Sequence, residues 1–252
     1  LLDEPFYDIS QYPTYLLSKF ASKHVRVCLS GDGGDEIFGG YNRYLIGQNN
    51  YLNLLKLLKF FNLQKVTSSF IDKKLANILL RKFGLTQLEN KKDKLKALIS
   101  SKSEEDLYDK LLRVENLSNV ENVIEYKKIS NITDNFMIND IDKYLPNNIL
   151  YKVDSLSMLN SLETRAPFLD HELYQFAWTI PQKIKFYKKN SKFILKSILS
   201  KYVSKELFDK PKMGFDIPLF QWLKNSPKLR KLIKELYLMN NKKIESLIPN
   251  SN

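Results

Sequence analysis

A short β-branched run that ends in a cluster of glycines is the strongest constraint on this fold. Residues 24–29 read HVRVCL, and the chain then passes through Ser30 into a segment, 31–40, that holds five of the eight glycines. After these glycines, apolar residues recur with the spacing of one helix face, at Ile37, Phe38, Tyr41, Tyr44 and Leu45. The pattern predicts a strand, a glycine loop and a helix, a unit typical of α/β folds.

Helical spacing dominates the rest of the chain. We predict one helix over 134–145 and another over 148–162, separated by Pro146, and a further helix capped by Ser191. Only the run before the glycines is convincing as a strand. The sequence therefore indicates an α/β fold that is mostly helical, the tail end of a sheet with a helical layer appended. We expect 62–131 to be a lysine-rich helical insert and 241–252 to be a frayed tail.

Charge and cysteine content exclude several classes of protein. The net charge is +12, but only six of the 40 basic residues are arginine and the lysines are scattered, which favours a solvated surface over a nucleic-acid site. No run of roughly 20 apolar residues predicts a membrane span. The single cysteine, Cys28, is expected to be a buried thiol in a reducing, cytoplasmic setting. Because the chain begins with Leu1-Leu2 and lacks a signal sequence, we expect it to be part of a longer protein.

The glycine loop also carries three acids, Asp32, Asp35 and Glu36. Glycines between a strand and a helix let main-chain N–H groups turn toward an anion, and acids beside a phosphate usually require a divalent cation, for which Mg²⁺ is the best fit. The alternative is a tight turn in which Asp35 and Glu36 only serve the first turn of the helix. Gly39 and Gly40 favour the first interpretation, because two glycines weaken a helix and need a reason in close approach.

Three ordered motifs resemble the glutamine-dependent asparagine synthetase family. The first is SGDGGDEIFGGYNRY over 30–44, the second is VDSLSM at 153–158 with SLETRAPFLDH at 161–171, and the third is KPKMGF at 210–215 followed by Pro218 and Trp222. The resemblance covers nearly all of 1–252 and places it in the C-terminal part of the synthetase domain. The family's N-terminal glutaminase domain, with its first-residue cysteine, and its PP-loop, S-G-G-x-D-S, do not occur here, and Cys28 is no substitute for that nucleophile.

The resemblance implies a fold and a reaction. The fold would be a truncated PP-loop domain of the Rossmann type, similar to the adenine-nucleotide hydrolases, with an appended helical layer. A carboxylic acid, most simply aspartate, would attack ATP to give an acyl-adenylate and pyrophosphate, and ammonia from a glutaminase domain of the same protein would then displace AMP. ATP and Mg²⁺ would be required, and neither a nucleic acid nor a membrane would be a partner. A homodimer is one possible assembly.

Matching the motifs residue by residue implies the following roles. Asp35 would be the Mg²⁺ ligand, and Asp32 would either assist it or face the reacting carboxyl group and ammonia. Glu36 is a weaker candidate for the same catalytic cluster, and Lys212 would meet the developing pyrophosphate. Contacts to substrate and nucleotide would come from the remaining motif positions, namely Ser30, Gly31, Gly33, Gly34 and Asp154.

The resemblance leaves some points open. The family often has arginine where this chain has Ser155, so the acceptor acid is less certain, and β-lactam-forming and polysaccharide-modifying relatives share the architecture. Glu163 and Arg165 are expected to organise the turn before Pro167 rather than to act on substrate, and Asp170 is also expected to be structural. The alternative function is a non-catalytic basic binding or scaffold module built on the same fold.

Overall fold

The computed structural model describes residues 8–49, 100–112, 126–208, 215 and 217–245. The first described elements are helix α1 (Gln11–Ala21) and strand β1 (Val27–Leu29). A second strand, β2 (Glu163–Arg165), pairs with β1 in parallel, with Cys28 opposite Thr164. The prediction of one strand was therefore incomplete, because a three-residue strand leaves almost no periodic signal in a sequence.

The acidic glycine loop leads into α2 (Gly34–Phe38), which is shorter than the predicted helix. The chain leaves α2 through Gly39, in the left-handed conformation at φ 73°, and continues as a 3₁₀ helix, Asn42–Asn49. The expectation of one helix through Leu45 was wrong. The apolar face was nevertheless assigned correctly, because Ile37, Phe38, Tyr44 and Leu45 are all buried.

Within the predicted insert, the structure describes α3 (Glu104–Leu112). One long helical element follows the insert. It begins with α4 (Ile132–Asn139), widens into a π-helix over Asp140–Leu150 and continues as α5 (Tyr151–Met158). Pro146 lies inside this π-helix, so the prediction that it separates two helices was wrong. A π-helical stretch accommodates proline because its wider turn shifts the hydrogen bonds that a proline interrupts.

Glu163 and Arg165 form an ion pair on β2, although the sequence indicated only a role in the next turn. Residues two apart lie on the same face of a strand, whereas on a helix they diverge. Asp170 is structural, as predicted, because its Oδ1 accepts hydrogen bonds from the amides of Glu172 and Leu173 at 3.0 and 3.1 Å.

The remaining elements are helices, short except for the last, and the two over His171–Thr179 and Phe193–Leu199 pack against α2. They comprise a 3₁₀ helix, Pro167–Leu169, then α6 (His171–Thr179), α7 (Gln182–Lys185), a 3₁₀ turn at Tyr187–Lys189, α8 (Phe193–Leu199), α9 (Lys205–Phe208), α10 (Leu219–Asn225) and α11 (Pro227–Glu245). The N-cap of α8 is Lys192 and not Ser191. Helix α11 extends to Glu245, five residues into the segment predicted to be frayed, and 246–252 lie outside the described residues.

The core is concentrated around α2, α4 and α6, whereas the sheet is open. Val27 is 50% and Leu29 is 76% exposed, and Cys28 is half-buried instead of buried as expected. Most of the predicted insert, 62–99 and 113–125, lies outside the described residues. None of the helices in the described part of the chain is long and apolar enough to cross a membrane. Helices around a small parallel sheet make this an α/β fold.

Candidate active site

A cleft of about 430 Å³ opens where the two parallel strands end. One wall is the glycine loop and β2, and the other is the end of the π-helix with the start of α5. Its lining residues are Ser30, Asp32, Pro146, Leu150, Tyr151, Val153, Asp154, Thr164 and Ala166. The cleft thus gathers three of the predicted site residues, Ser30, Asp32 and Asp154, from two motifs that are more than 100 positions apart in the sequence. Ligands of parallel α/β sheets characteristically bind at this edge.

Ser30 is anchored by its backbone and presents its hydroxyl. The amide of Ser30 donates a 2.7 Å hydrogen bond to the carbonyl oxygen of Arg165, which extends the pairing of β1 and β2 by one residue. Its Oγ is buried and has no hydrogen-bond partner among the residues that the structure describes. A buried hydroxyl without a partner is costly unless a ligand or water satisfies it. Ser30 Oγ is therefore the best-placed group in the cleft for hydrogen bonding to a substrate.

The glycines of the loop are explained mainly by packing. A Cβ on Gly33, at φ 85°, would come within 2.9 Å of Leu169 Cγ, and a Cβ on Gly34 would lie 3.1 Å from the Phe168 ring. The amide of Gly34 donates to the carbonyl of Gly31 at 3.2 Å and is thus used within the turn. Gly31 alone of the five is open, because no atom of the described residues lies within 4 Å of the position that a Cβ would take there. Since α2 has five residues, its dipole adds little to any anion site.

Asp35 does not line the cleft. Its Oδ1 lies 3.0 Å from Lys192 Nζ, at the start of α8. The close approach depends on Gly40, because a Cβ there would overlap Asp35 Oδ1 and lie within 2.6 Å of Asp35 Cγ. Lys192 was missed by the sequence analysis. Its only sequence signal is a position just before a helix, among many lysines.

Glu36 points into the protein and not into the cleft. Its side chain is 1% exposed and accepts a 2.6 Å hydrogen bond from Tyr41 Oη. Burial raises the pKa of Glu36 above its usual value, and the carboxylates of Asp35 and Asp140 add to this, while the Tyr41 hydrogen bond opposes it. The structure therefore separates Glu36 from Asp32, with which the sequence grouped it.

A second buried carboxylate, Asp140, was not identified from the sequence. It is fully buried and lies 2.8 Å from Arg43 Nε and 2.7 Å from Arg43 Nη2, and it also accepts hydrogen bonds from the hydroxyls of Tyr44 and, at 2.8 Å, Tyr108. Burial alone would lower the pKa of Arg43, but the Asp140 carboxylate keeps it raised. Burial and the same carboxylate raise the pKa values of both tyrosines. Both hydroxyls therefore stay protonated as donors. We call these four residues the Asp140 cluster.

Two predicted features have no counterpart among the described residues. Lys212 lies in the undescribed segment 209–214. Within the described part of the chain, no three histidine, cysteine, aspartate or glutamate side chains gather as a metal site would require. Of the two carboxylates that line the cleft, Asp32 is on the same loop as the Ser30 hydroxyl, and these two groups fit a Mg²⁺ ion held mainly by phosphate oxygens.

Comparison with known proteins supports the assignment of the motifs. A family model described as asparagine synthase matches residues 1–251. The chain belongs to the asparagine synthase family. An asparagine synthetase (glutamine-hydrolysing) of Bacillus subtilis is 28% identical over 247 residues, which cover 92% of this chain and 37% of that protein. A putative synthetase of Mycobacterium bovis is 30% identical over 227 residues, 88% of this chain and 34% of that protein.

Another relative matches a shorter stretch of the chain at higher identity. A putative asparagine synthetase of Methanocaldococcus jannaschii is 48% identical over 86 residues, 32% of this chain and 16% of that protein. No solved structure gives a significant match. The chain spans about a third of the length of the Bacillus and Mycobacterium relatives.

Proposed function

We propose that this chain forms the carboxylate-activating part of an ATP-dependent ligase that makes an amide. The observation that carries the proposal is the cleft itself, in a member of the asparagine synthase family. It gathers Ser30 and Asp32 from the glycine loop with Asp154 from the second motif. Neither carboxylate is engaged in a hydrogen bond or ion pair by any described residue. Accessible polar groups that converge on one cleft are typical of a substrate site.

The proposed reaction has two steps. The acceptor carboxylate attacks the α-phosphorus of ATP, and pyrophosphate leaves to give an acyl-adenylate. Ammonia then attacks the acyl carbon, AMP leaves, and an amide remains. We propose aspartate as the acceptor and ammonia from a glutaminase domain of the same protein, because the relatives are named as glutamine-hydrolysing asparagine synthetases. A cytoplasmic setting and a homodimer complete the proposal.

Each residue of the cleft has its own role in the proposed reaction. Ser30 Oγ donates a hydrogen bond to the nucleotide, and the open side of Gly31 lets the nucleotide approach the main chain. Asp32 faces the reacting groups and would hold Mg²⁺, which when bound neutralises phosphate charge. Asp154, on the opposite wall, binds the acceptor, and its negative charge suits the ammonium group of an amino acid.

The cations of the site come from later in the chain. We propose that Lys212 meets the leaving pyrophosphate, as its motif implies. Lys192 already supplies one positive charge beside the loop, where it pairs with Asp35. Asp35 becomes a metal ligand only if it releases Lys192, and this makes Asp32 the carboxylate available first.

The open face of β1 supports the finer fold assignment. Val27 and Leu29 are strongly exposed for residues of a parallel strand, which is normally covered on both faces. We propose that further helices of the same protein cover this face, and that a further strand with the PP-loop extends the sheet beside it to complete a Rossmann-type sheet. The phosphate cradle that is missing from this chain would then lie next to Ser30.

The test is acceptor-dependent pyrophosphate release by the complete protein encoded by the gene. With ATP, Mg²⁺ and ammonium chloride, aspartate should stimulate release, and mass spectrometry should identify asparagine. Asp32→Asn should lower kcat by about 100-fold or more, since it removes charge from the reacting centre. Asp142→Asn is the matched control, because Asp142 is an exposed carboxylate that pairs with Lys127 at 2.8 Å. Equal activity in the two variants would refute the role of Asp32, and no stimulation by any acid would refute the ligase assignment.

A further inference from the structure

The Asp140 cluster joins the two walls of the cleft. Arg43 follows the glycine loop by three residues, and that loop carries Asp32. Asp140 is the first residue of the π-helix, whose end and continuation carry Leu150 and Asp154. The contact between Arg43 and Asp140 thus connects the first motif directly to the helical element that carries Asp154, and the Asp140 side chain is fully buried in it.

On the loop side, short contacts lead from this cluster to the acids. The Arg43 guanidinium stacks over the Tyr41 ring at 3.9 Å, and Tyr41 Oη holds Glu36. The amide of Gly40 closes the loop by donating to the carbonyl of Asp35 at 2.7 Å. A change in the position of Arg43 is therefore passed to the turn that carries the acids.

On the helix side, the cluster fixes where the π-helix begins. Tyr108 from α3 donates to Asp140 Oδ1, while Arg43 and Tyr44 engage Oδ2. Three hydrogen bonds from two directions leave the carboxylate little freedom to rotate. The wide π-helical turns then set which residues of the following segment face the cleft, including Pro146 and Leu150.

We propose that Asp140 is a positioning residue for the reaction, because its bridge to Arg43 sets the separation of Asp32 and Asp154 across the cleft. Apolar residues of similar volume often stabilise a core as well as a buried ion pair does. What the ion pair adds is direction, since the guanidinium fork and the tyrosine hydroxyls bind the carboxylate only in a defined orientation. This inference rests on the proposed function for its effect on rate, but the geometric part can be tested without activity.

The test compares two tyrosine hydroxyls in the complete protein. Tyr108→Phe removes one donor from Asp140, and Tyr126→Phe removes a hydroxyl from the neighbouring ring, which donates to Glu104 at 2.7 Å and lies 5.6 Å from the Tyr108 ring. Both variants lose one hydroxyl bound to a carboxylate. Only the first alters the bridge between the walls.

Two measurements separate positioning from stability. The first is kcat for pyrophosphate release per folded molecule, well below the unfolding temperature. We expect about a fivefold or larger loss in Tyr108→Phe with KM for ATP unchanged, because small misplacement of reacting groups costs rate. The second is hydrogen exchange at the Gly40 amide, which should become about tenfold faster in Tyr108→Phe alone. Tyr126→Phe should match the wild type in both measurements.

If Asp140→Asn folds, it should show a larger loss of kcat and faster exchange at the Gly40 amide than Tyr108→Phe. If it does not fold, Tyr108→Phe decides the question. The inference is overturned if the two tyrosine variants behave alike, or if activity falls only in proportion to the folded fraction. If the wild type itself releases no pyrophosphate with any acceptor, the proposed function fails, while exchange at Gly40 still decides whether Asp140 holds the loop.

Discussion

Two pairs of carboxylates lie on the same two parts of the chain, the glycine loop with α2 and the long helical element over 132–158, but in opposite environments. Asp32 and Asp154 face the cleft, and the described residues leave their carboxylates without hydrogen bonds or ion pairs. Glu36 and Asp140 are 1% and 0% exposed and are held by tyrosine hydroxyls and one guanidinium. Buried charge persists only when it is paired, whereas an accessible carboxylate is free to meet a ligand. We therefore distinguish a chemical face, Asp32 and Asp154 at the cleft, from a structural face, the buried Glu36 and Asp140.

Asp35 lies between these two environments. It is half-buried and paired with Lys192, and its place depends on the missing side chain of Gly40. The loop therefore directs three acids in three directions: Asp32 to the cleft, Asp35 to a lysine and Glu36 to the interior. Substitutions in each direction should have different consequences for stability and for activity.

The largest effect on stability is expected at Asp140. Asp140→Asn leaves the Arg43 guanidinium buried without its counter-ion, so the free energy of unfolding should fall by about 3–5 kcal/mol. Asp154→Asn makes the same chemical change in the cleft and should alter the free energy of unfolding by less than about 0.5 kcal/mol. Urea unfolding measures both. Similar losses at the two positions would show that the contrast between the faces is wrong.

The next largest effect is expected from a methyl group at Gly40. Gly40→Ala forces the added Cβ against Asp35 Oδ1 and Lys192, at a cost of about 1–3 kcal/mol. Gly31→Ala is the matched control, because no atom lies within 4 Å of the added carbon. Thermal unfolding should separate the two variants. If Gly40→Ala is as stable as Gly31→Ala, the Asp35 to Lys192 pair does not depend on that close approach.

The sequence pointed more readily to residues that line the cleft than to the buried ones. Ser30 and Asp32 could be placed together because one short motif carries both and glycines mark its turn, while their roles stay predictions. Asp140 could not be identified, because nothing local distinguishes an aspartate that pairs with an arginine 97 positions away. The glycines themselves were attributed to a ligand, whereas Gly33 and Gly34 are required by the close approach of Leu169 and Phe168.

The helix predictions failed for a related reason. Pro146 is a correct signal for an interrupted hydrogen-bond ladder, but the long helix absorbs it by widening into a π-helix. Gly39 ends α2 early because it adopts the left-handed conformation, which the apolar periodicity around it does not reveal. Periodicity predicted which side chains are buried, while backbone continuity was decided by tertiary packing.

A smaller effect on stability is expected when either of two buried hydroxyls in different surroundings is removed. Ser30→Ala removes a buried Oγ to which no described residue is hydrogen-bonded, so the free energy of unfolding should stay constant or rise by up to about 1 kcal/mol. Its KM for ATP should increase about tenfold, the value of one hydrogen bond to a charged group. Thr133→Val is the control, because Thr133 Oγ1 donates to the carbonyl of Tyr44 at 2.9 Å. It should lose about 1–2 kcal/mol of stability with KM unchanged. The reverse pattern would remove Ser30 from the site.

The smallest effect concerns how stability depends on pH through Glu36. It is also the most direct test of whether Glu36 belongs to the structural face. Burial raises the pKa of Glu36 in the folded protein, so the folded state binds more protons than the unfolded state just above pH 4.5, and stability should fall as the pH rises through that window. Glu36→Gln keeps an acceptor for Tyr41 without the charge. The urea midpoint of Glu36→Gln, relative to that of the wild type, should therefore be higher at pH 7 than at pH 4. Tyr41→Phe should steepen the fall seen in the wild type, because the hydrogen bond that it removes lowers the pKa of Glu36. If Glu36→Gln differs from the wild type equally at both pH values, the Glu36 charge carries no burial penalty and this residue belongs with Asp32 on the chemical face.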